Sequence, residues 1–267
     1  MNLKVKQVAE KELIPKYSEI KVLEATDTDF RNKWKISSVI KHMLAVAGEH
    51  SNLLGWGWNE LKDRFNVCLV LVQTHVEMTK YPPCYTKVKV STWPDNAKRA
   101  IITRYFVFED AETGELYGKA TVQCVLMDMT SRTIVWANKY DLPWVDTSHL
   151  DIGCNMPKLK IPCELVESSE KQTNIHIATY NDLDYNGHVN NAKYVEWIEN
   201  LFDTTAYENA DIKTFNIKYH KEIKFAENVT METISDNEFP GKSYVRGMVN
   251  DGTEEHCCFE AAVKFTV

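Results

Sequence analysis

The sequence lacks most of the devices by which small motifs announce a function. It has no CxxC pair and no HExxH helix, so no metal site is expected. Its seven cysteines, Cys68, Cys84, Cys124, Cys154, Cys163, Cys257 and Cys258, are odd in number and scattered. That spacing excludes a regular disulfide framework and leaves most of them as small buried apolar residues. The ten glycines are dispersed, so no Gly-rich loop cradles a phosphate, and no cofactor is expected. No apolar run approaches the length needed to cross a membrane. The N-terminus, Met1 to Val8, lacks the apolar core of a secretory signal and the Arg- and Ser-rich character of a transit peptide. A formal charge of −7 removes the basic excess on which non-specific nucleic-acid binding rests.

What is present is an ordinary globular composition, 44% hydrophobic and 26% charged, over 267 residues. That length suits two similar units or one large one. The chain is organised around the run Asn181 to Asn191, which reads as a loop, and Ala192 to Phe202, which reads as a helix. Tyr194, Ile198, Leu201 and Phe202 recur at helical spacing, and Asn190 or Asn191 is placed to cap the start. Just before that cap stand Asp184, Asn186 and His188. The first turn of a helix presents unpaired N–H groups that stabilise an oxyanion. A carboxylate and an imidazole beside it supply a base or nucleophile and a proton carrier.

The run Asp184-x-Asn186-x-His188-Val189-Asn190-Asn191-x-Lys193-Tyr194, followed by Trp197-Ile198, resembles the signature of acyl-acyl-carrier-protein thioesterases, the plant-type enzymes and their bacterial relatives. The resemblance implies an α+β fold of two tandem hotdog units, each a long helix wrapped by an antiparallel sheet. It also implies hydrolysis of the thioester between a fatty acyl group and the phosphopantetheine arm of acyl carrier protein, which terminates fatty acid synthesis. Trp93-Pro94, Arg104-x-Phe106 and Gly114-Glu115 are also similar to family sequence. A plant precursor would carry a transit peptide, so the chain reads as bacterial, or as processed, with the cytoplasm expected and either a monomer or a homodimer.

The order of elements agrees. Residues 3–14 and 17–24 read as strands. Ile36, Val39, Ile40, Met43, Leu44 and Ala47 form a helical stripe that Gly48 is expected to end. Strands follow at Val67 to Val76, Lys87 to Trp93, Ala100 to Phe108, Leu116 to Met127 and Thr133 to Trp136, with a hairpin at Thr113-Gly114. A proline-containing connection precedes a second strand, loop, helix and antiparallel run. The expected organisation is a first unit over 1–140, a linker over 141–170 and a second unit over 171–267 carrying the motif. Sequence identity between the halves is weak, so the duplication rests on element order.

The first half has Asp29-Phe30-Arg31-Asn32-Lys33-Trp34 where the second has its motif. No histidine stands there, so one active site per chain is expected. The resemblance implies that the first unit lines the acyl tunnel, with Met43, Ala47, Leu53, Leu54 and Trp56 as candidates. Tyr219-His220-Lys221-Glu222-Ile223 is similar to a family stretch of Tyr, two basic positions, Glu and Cys, with Ile223 at the cysteine position. An isoleucine is no nucleophile, so the expected catalytic set is Asp184, Asn186, His188 and Glu222. A strict strand over Lys213 to Phe225 places Phe215, Ile217, Tyr219, Ile223 and Phe225 on one face and Glu222 on the other. Water activated through Asp184, His188 and Glu222, or direct attack by Asp184, are both open. Lys87, Lys89, Lys98, Arg99, Lys213, Lys218, Lys221 and Lys224 are candidates for docking an acidic carrier. The alternatives are an acyl-CoA thioesterase, a hotdog dehydratase and a non-catalytic acyl-binding protein.

Overall fold

The stripe that begins at Ile36 forms the longest helix, α1 (Ile36–Leu54), with Ile36, Val39, Ile40, Met43 and Ala47 all buried. Gly48 does not end it. One glycine costs a helix about 1 kcal/mol, and continuing the helix buries His50 and Leu54. The stop is Gly55, left-handed at φ 76°, whose N–H turns back onto the last carbonyls. The protein is described here from a computed structural model, over residues 13–150, 154–167, 171–236 and 238–266. The strand expected over 3–14 lies outside these residues except for its last two, which are not strand.

The remaining elements are β1 (Tyr17–Val22), α2 (Trp58–Phe65), β2 (Val67–Met78), β3 (Lys87–Pro94), β4 (Ile101–Asp110), β5 (Leu116–Asp128) and β6 (Ile134–Val135). A four-residue helix α3 (Cys163–Val166) precedes β7 (Gln172–Ile177), α4 (Asn191–Glu199) and α5 (Thr204–Asn209). The chain closes with β8 (Ile212–Tyr219), β9 (Asn228–Ser235), β10 (Lys242–Asn250) and β11 (Glu255–Phe265). This is an α+β fold. One antiparallel sheet runs β1-β3-β4-β5-β2-β8-β11-β10-β9-β7, with β6 beside β5. Read inward from each edge, both halves have the same order. They meet where β2 pairs with β8, Gln73 opposite Lys218 through Glu77 opposite Thr214. At that seam the Gln73 side chain donates to Asn216 Oδ1 at 2.9 Å, both groups buried.

One apolar cluster joins the halves. Val39, Met43 and Val46 of α1 share it with Tyr194, Val195 and Trp197 of α4 and with Phe106, Phe215 and Phe259 from the sheet. A second cluster holds Leu54, Trp56, Leu61, Val67, Ile102 and Leu126. The proline-containing connection packs on the surface, as its composition suggests: Trp144 lies edge-on to Trp56 and Thr147 donates to the Pro94 carbonyl. Beneath the end of α1, the buried Arg104 guanidinium donates to His50 Nδ1 at 2.9 Å, and His50 Nε2 meets the Ile14 carbonyl at 2.7 Å. Burial, with Arg104 beside it, pulls the His50 imidazole down to about 4.

Two expected boundaries shift. The helix expected to reach Phe202 stops at Glu199, because Asp203 caps a new helix by accepting the Ala206 N–H at 2.9 Å. The strand expected to reach Phe225 stops at Tyr219. No helix among the described residues is long and apolar enough to cross a membrane.

Candidate active site

The motif turn is built by its own carboxylate. Asp184 Oδ1 accepts the N–H of Asn186 at 2.8 Å and of His188 at 3.3 Å, while the Asp184 N–H donates to the His188 carbonyl at 2.8 Å. Gly187 supplies the left-handed residue the turn needs, at φ 78°. The turn is clamped to the chain beyond β8. Val189 N–H donates to the Ile223 carbonyl at 2.9 Å, the Ile223 N–H donates to Tyr194 Oη at 3.3 Å, and His188 pairs with Lys224 as an isolated bridge. Burial holds the Tyr194 phenol above its ordinary range, so it stays a neutral partner.

This clamp brings Glu222 to the histidine: His188 Nε2 lies 3.3 Å from Glu222 Oε2. Because the strand ends at Tyr219, strict alternation does not govern the residues after it. Glu222 faces the cleft, whereas Ile223 is fully buried in the shared core and Phe225 is exposed. The single-face expectation for Ile223 and Phe225 is therefore corrected. It also follows that position 223 points into the core and does not line the cleft. A thiol there would not face the cleft.

The cleft has a volume of about 350 Å³ and is shared by both halves. Asp184, Asn186, His188, Asn191 and Glu222 face Leu69, Leu71, Met127 and Met129 of the first half. Trp58 closes one side, stacking edge-on against Tyr185 at 5.4 Å. Arg132, which composition and spacing gave no reason to choose, is the residue missed. Held at φ 56° in the turn after β5, it donates to Glu222 Oε2 at 2.5 Å. The only signal for it is spatial, since it reaches the site from the other half. Cys68 also lines the cleft, its thiol raised by burial.

The acyl-tunnel candidates do not line this cleft. Met43 and Ala47 are in the shared core, against which the cleft residue Leu71 packs. Leu54 and Trp56 are in the second cluster, against which the cleft residue Leu69 packs. Leu53 is half-buried. Of the docking lysines, Lys221 lines the cleft, while Lys87, Lys89 and Lys98 pair with Glu112, Glu109 and Asp95. Among the described residues, His75, Glu77 and Cys154 form the one grouping whose donor atoms lie within 4.8 Å of one another. It is outside the cleft, and His75 Nε2 already meets Glu77 Oε1 at 2.9 Å.

The turn occurs twice in the chain. Asp29 N–H donates to the Lys33 carbonyl at 2.8 Å, and Asp29 Oδ1 accepts the N–H groups of Arg31 at 2.9 Å and Lys33 at 3.0 Å. Lys35 N–H donates to the Asp27 carbonyl as Asn190 N–H does to Asp182. Asn32, left-handed at φ 58°, stands where Gly187 does. Asp29, Arg31, Lys33 and Ile36 thus correspond to Asp184, Asn186, His188 and Asn191. Trp34 N–H donates to the Pro82 carbonyl where Val189 uses Ile223, so Tyr81 corresponds to Glu222. In the first half, the N–H groups of Ile36 and Ser37 are taken by the Glu199 carboxylate, at 2.8 and 3.2 Å. In the second half, the Asn191 N–H meets no acceptor among the described residues.

Fold and cleft together define a pseudo-symmetric α+β chain in which a cleft brings an imidazole and a carboxylate together. Residues 16–139 match the acyl-ACP thioesterase N-terminal domain and residues 165–262 the C-terminal domain, so the chain belongs to the acyl-ACP thioesterase family. It is 27% identical over 195 residues to a chloroplastic dodecanoyl-[acyl-carrier-protein] hydrolase of Cinnamomum camphora, covering 70% of this chain and 51% of that protein. It is 24% identical over 241 residues to the chloroplastic oleoyl-acyl carrier protein thioesterase 1 of Arabidopsis thaliana, covering 84% and 65%. The chain thus spans about half to two thirds of these relatives. An acyl-ACP thioesterase structure from Bacteroides thetaiotaomicron VPI-5482 shares the fold, with a TM-score of 0.75 at 23% identity, covering 94% of this chain and 98% of that one.

Proposed function

We propose that the chain hydrolyses fatty acyl-ACP thioesters, releasing fatty acid and holo-ACP, through Asp184, Asn186, His188 and Glu222. The observation that carries this reading is the His188–Glu222 pair at 3.3 Å in a cleft whose Asn191 N–H meets no acceptor among the described residues. The first half supports the role of that N–H. Its counterpart, Ile36 N–H, donates to a carboxyl oxygen of Glu199 at 2.8 Å. The thioester carbonyl oxygen takes the matching place over Asn191 and accepts the same bond as negative charge develops. Glu222, with His188 beside it, takes a proton from water as the water oxygen bonds to the carbonyl carbon. The tetrahedral intermediate then collapses, the C–S bond breaks, and the proton returns to the leaving thiolate.

Direct attack by Asp184 is the less favoured route. Its Oδ1 already accepts two N–H groups, which lowers its nucleophilicity and makes it the organiser of the turn. Asn186 orients the reacting groups from the exposed side of that turn.

In this reading the two halves are tandem hotdog units, 1–140 and 171–267, joined by the linker 141–170. The first supplies the apolar wall. Leu54 and Trp56 belong to the cluster on which Leu69 packs, and Met43 and Ala47 to the one on which Leu71 packs, and in this reading they limit how far an acyl chain extends. Leu53 flanks them. Lys221 at the cleft, 3.9 Å from Asp251, is the cation placed to meet the acidic carrier or its phosphopantetheine phosphate. The same site chemistry serves acyl-CoA. Initial rates on acyl-ACP and acyl-CoA carrying one acyl chain test the reading: faster release from ACP supports it, and release from CoA alone replaces it.

A further inference from the structure

Both halves carry the same backbone turn, so a side chain found in only one of them marks what the half with the His188–Glu222 cleft adds. Tyr194 stands three residues after Asn191, as Val39 stands three after Ile36. Tyr219 stands three residues before Glu222, as Met78 stands three before Tyr81. The strand ends agree with this pairing, since Met78 closes β2 and Tyr219 closes β8. Val39 and Met78 are apolar and buried in the shared core. The second half has a phenol at both places, and both phenols line the cleft.

The two hydroxyls make crossed ties. Tyr219, at the end of β8, donates to the Asn191 carbonyl at the start of α4, at 3.2 Å. Tyr194, on α4, accepts the Ile223 N–H beyond β8, at 3.3 Å. Their rings meet edge-on, with centroids 5.4 Å apart at 85°. One tie ends on the residue whose N–H meets no acceptor among the described residues, the other on the neighbour of Glu222. In the first half, the start of α1 is held by Glu199 instead. Packing explains a ring at each position, since Tyr194 lies in the shared core and Tyr219 packs against it. It does not explain the hydroxyls. Phenylalanine would fill the same space without placing a polar atom against that core. Burial holds both phenols above their ordinary range, so each stays protonated.

We propose that Tyr219 and Tyr194 are positioning residues for hydrolysis, their crossed hydrogen bonds setting the separation between the Asn191 N–H that receives the carbonyl oxygen and the Glu222 carboxylate that takes the proton from water. The roles of carbonyl and water rest on the thioesterase reading, whereas the tie itself rests on geometry alone. A catalytic group must stay within about 0.5 Å of its productive place, so a single hydrogen bond at each end has a measurable effect.

Tyr219→Phe and Tyr194→Phe, made in the full-length protein, remove the hydroxyls and keep the rings. Each is expected to lower kcat on acyl-ACP by about three- to tenfold, the scale of one hydrogen bond, with KM within about twofold of wild type. Tyr81→Phe removes a phenol hydroxyl, bonded to the Ile212 carbonyl, from the half without the pair, and is expected to keep both constants within about twofold. A second readout needs no turnover. Asn190-Asn191 is the only Asn-Asn pair in the sequence. Asparagine isotope-labelled at its backbone nitrogen and carbonyl carbon therefore gives one NMR amide signal that follows a labelled carbonyl, that of Asn191. This signal is expected to shift, and its amide hydrogen to exchange faster, in Tyr219→Phe and not in Tyr81→Phe. Wild-type kcat in either Tyr219→Phe or Tyr194→Phe overturns the proposal, as does an unmoved Asn191 signal in Tyr219→Phe or an equal loss of kcat in Tyr81→Phe. A shifted Asn191 signal in a chain that hydrolyses neither acyl-ACP nor acyl-CoA keeps the tie and removes the hydrolase reading.

Discussion

Arg132 and Glu222 meet across the two halves of the chain, guanidinium nitrogen to carboxylate oxygen at 2.5 Å, on the same oxygen that lies 3.3 Å from His188. The first half thus fixes the rotamer of a carboxylate belonging to the second. Arg132→Ala is expected to lower kcat/KM by about three- to tenfold, the scale of a half-exposed ion pair. Arg132→Lys should restore part of the loss. Unchanged kinetics in Arg132→Ala would show that Glu222 needs no such partner.

Ile223 stands at the position where the family stretch has cysteine, and its side chain is in the core. Ile223→Cys is therefore expected to leave turnover within about twofold and to cost about 1–2 kcal/mol of stability from lost packing. In the folded variant, maleimide should label no more thiols than it does in wild type. A large gain in turnover would place a thiol in the mechanism.

The turn also predicts which substitutions position 187 accepts. Asn32 adopts in the first half the left-handed conformation that Gly187 adopts in the second. Gly187→Asn is expected to cost less than about 1 kcal/mol and to retain most activity, because asparagine tolerates this region. Gly187→Val, β-branched, should distort the turn and depress turnover strongly at little cost to the rest of the fold. Equal activity of the two variants would show that the turn geometry does not matter.

Acid should weaken the fold through His50. Its imidazole titrates near 4 when folded and at 6.5 when free, so between those values the unfolded chain binds the extra proton. The stabilisation is complete above 6.5 and is lost as the pH falls toward 4, on the order of 3 kcal/mol in all. Glu199 acts in the opposite sense. Burial lifts its carboxyl to about 7, so its contribution is present below its ordinary 4.5 and fades as the pH rises through 7. Urea unfolding of His50→Gln and Glu199→Gln across about pH 4 to 7.5 should separate the two slopes. Parallel pH curves for both variants and wild type would contradict the assignment.

Much of this was legible in the chain, for reasons that differ by residue. The run Asp184 to Tyr194 is local, so its residues and their order specify the turn, the cap and the helix start together. The α1 stripe was readable from its period, but its end was not: Gly48 and Gly55 look alike in sequence, and burial of His50 and Leu54 decides between them. Glu222 was found by resemblance and misplaced by strand alternation, because nothing local says that β8 stops at Tyr219. Arg132 was not readable at all. Its role depends on two halves packing across the β2–β8 seam. The inner turn Asp29 to Lys33 was visible as a departure, while its shared hydrogen-bond pattern became visible only in three dimensions.

The most direct test is the initial rate of fatty acid release from acyl-ACP by wild type, His188→Ala and Glu222→Gln, with thermal unfolding measured alongside. Release by wild type, with both variants lower by about 100- to 10,000-fold at unchanged melting temperature, is the expected result. Wild-type rates in either variant, or no release from any acyl-ACP by the wild-type protein, would contradict hydrolysis at the His188–Glu222 cleft.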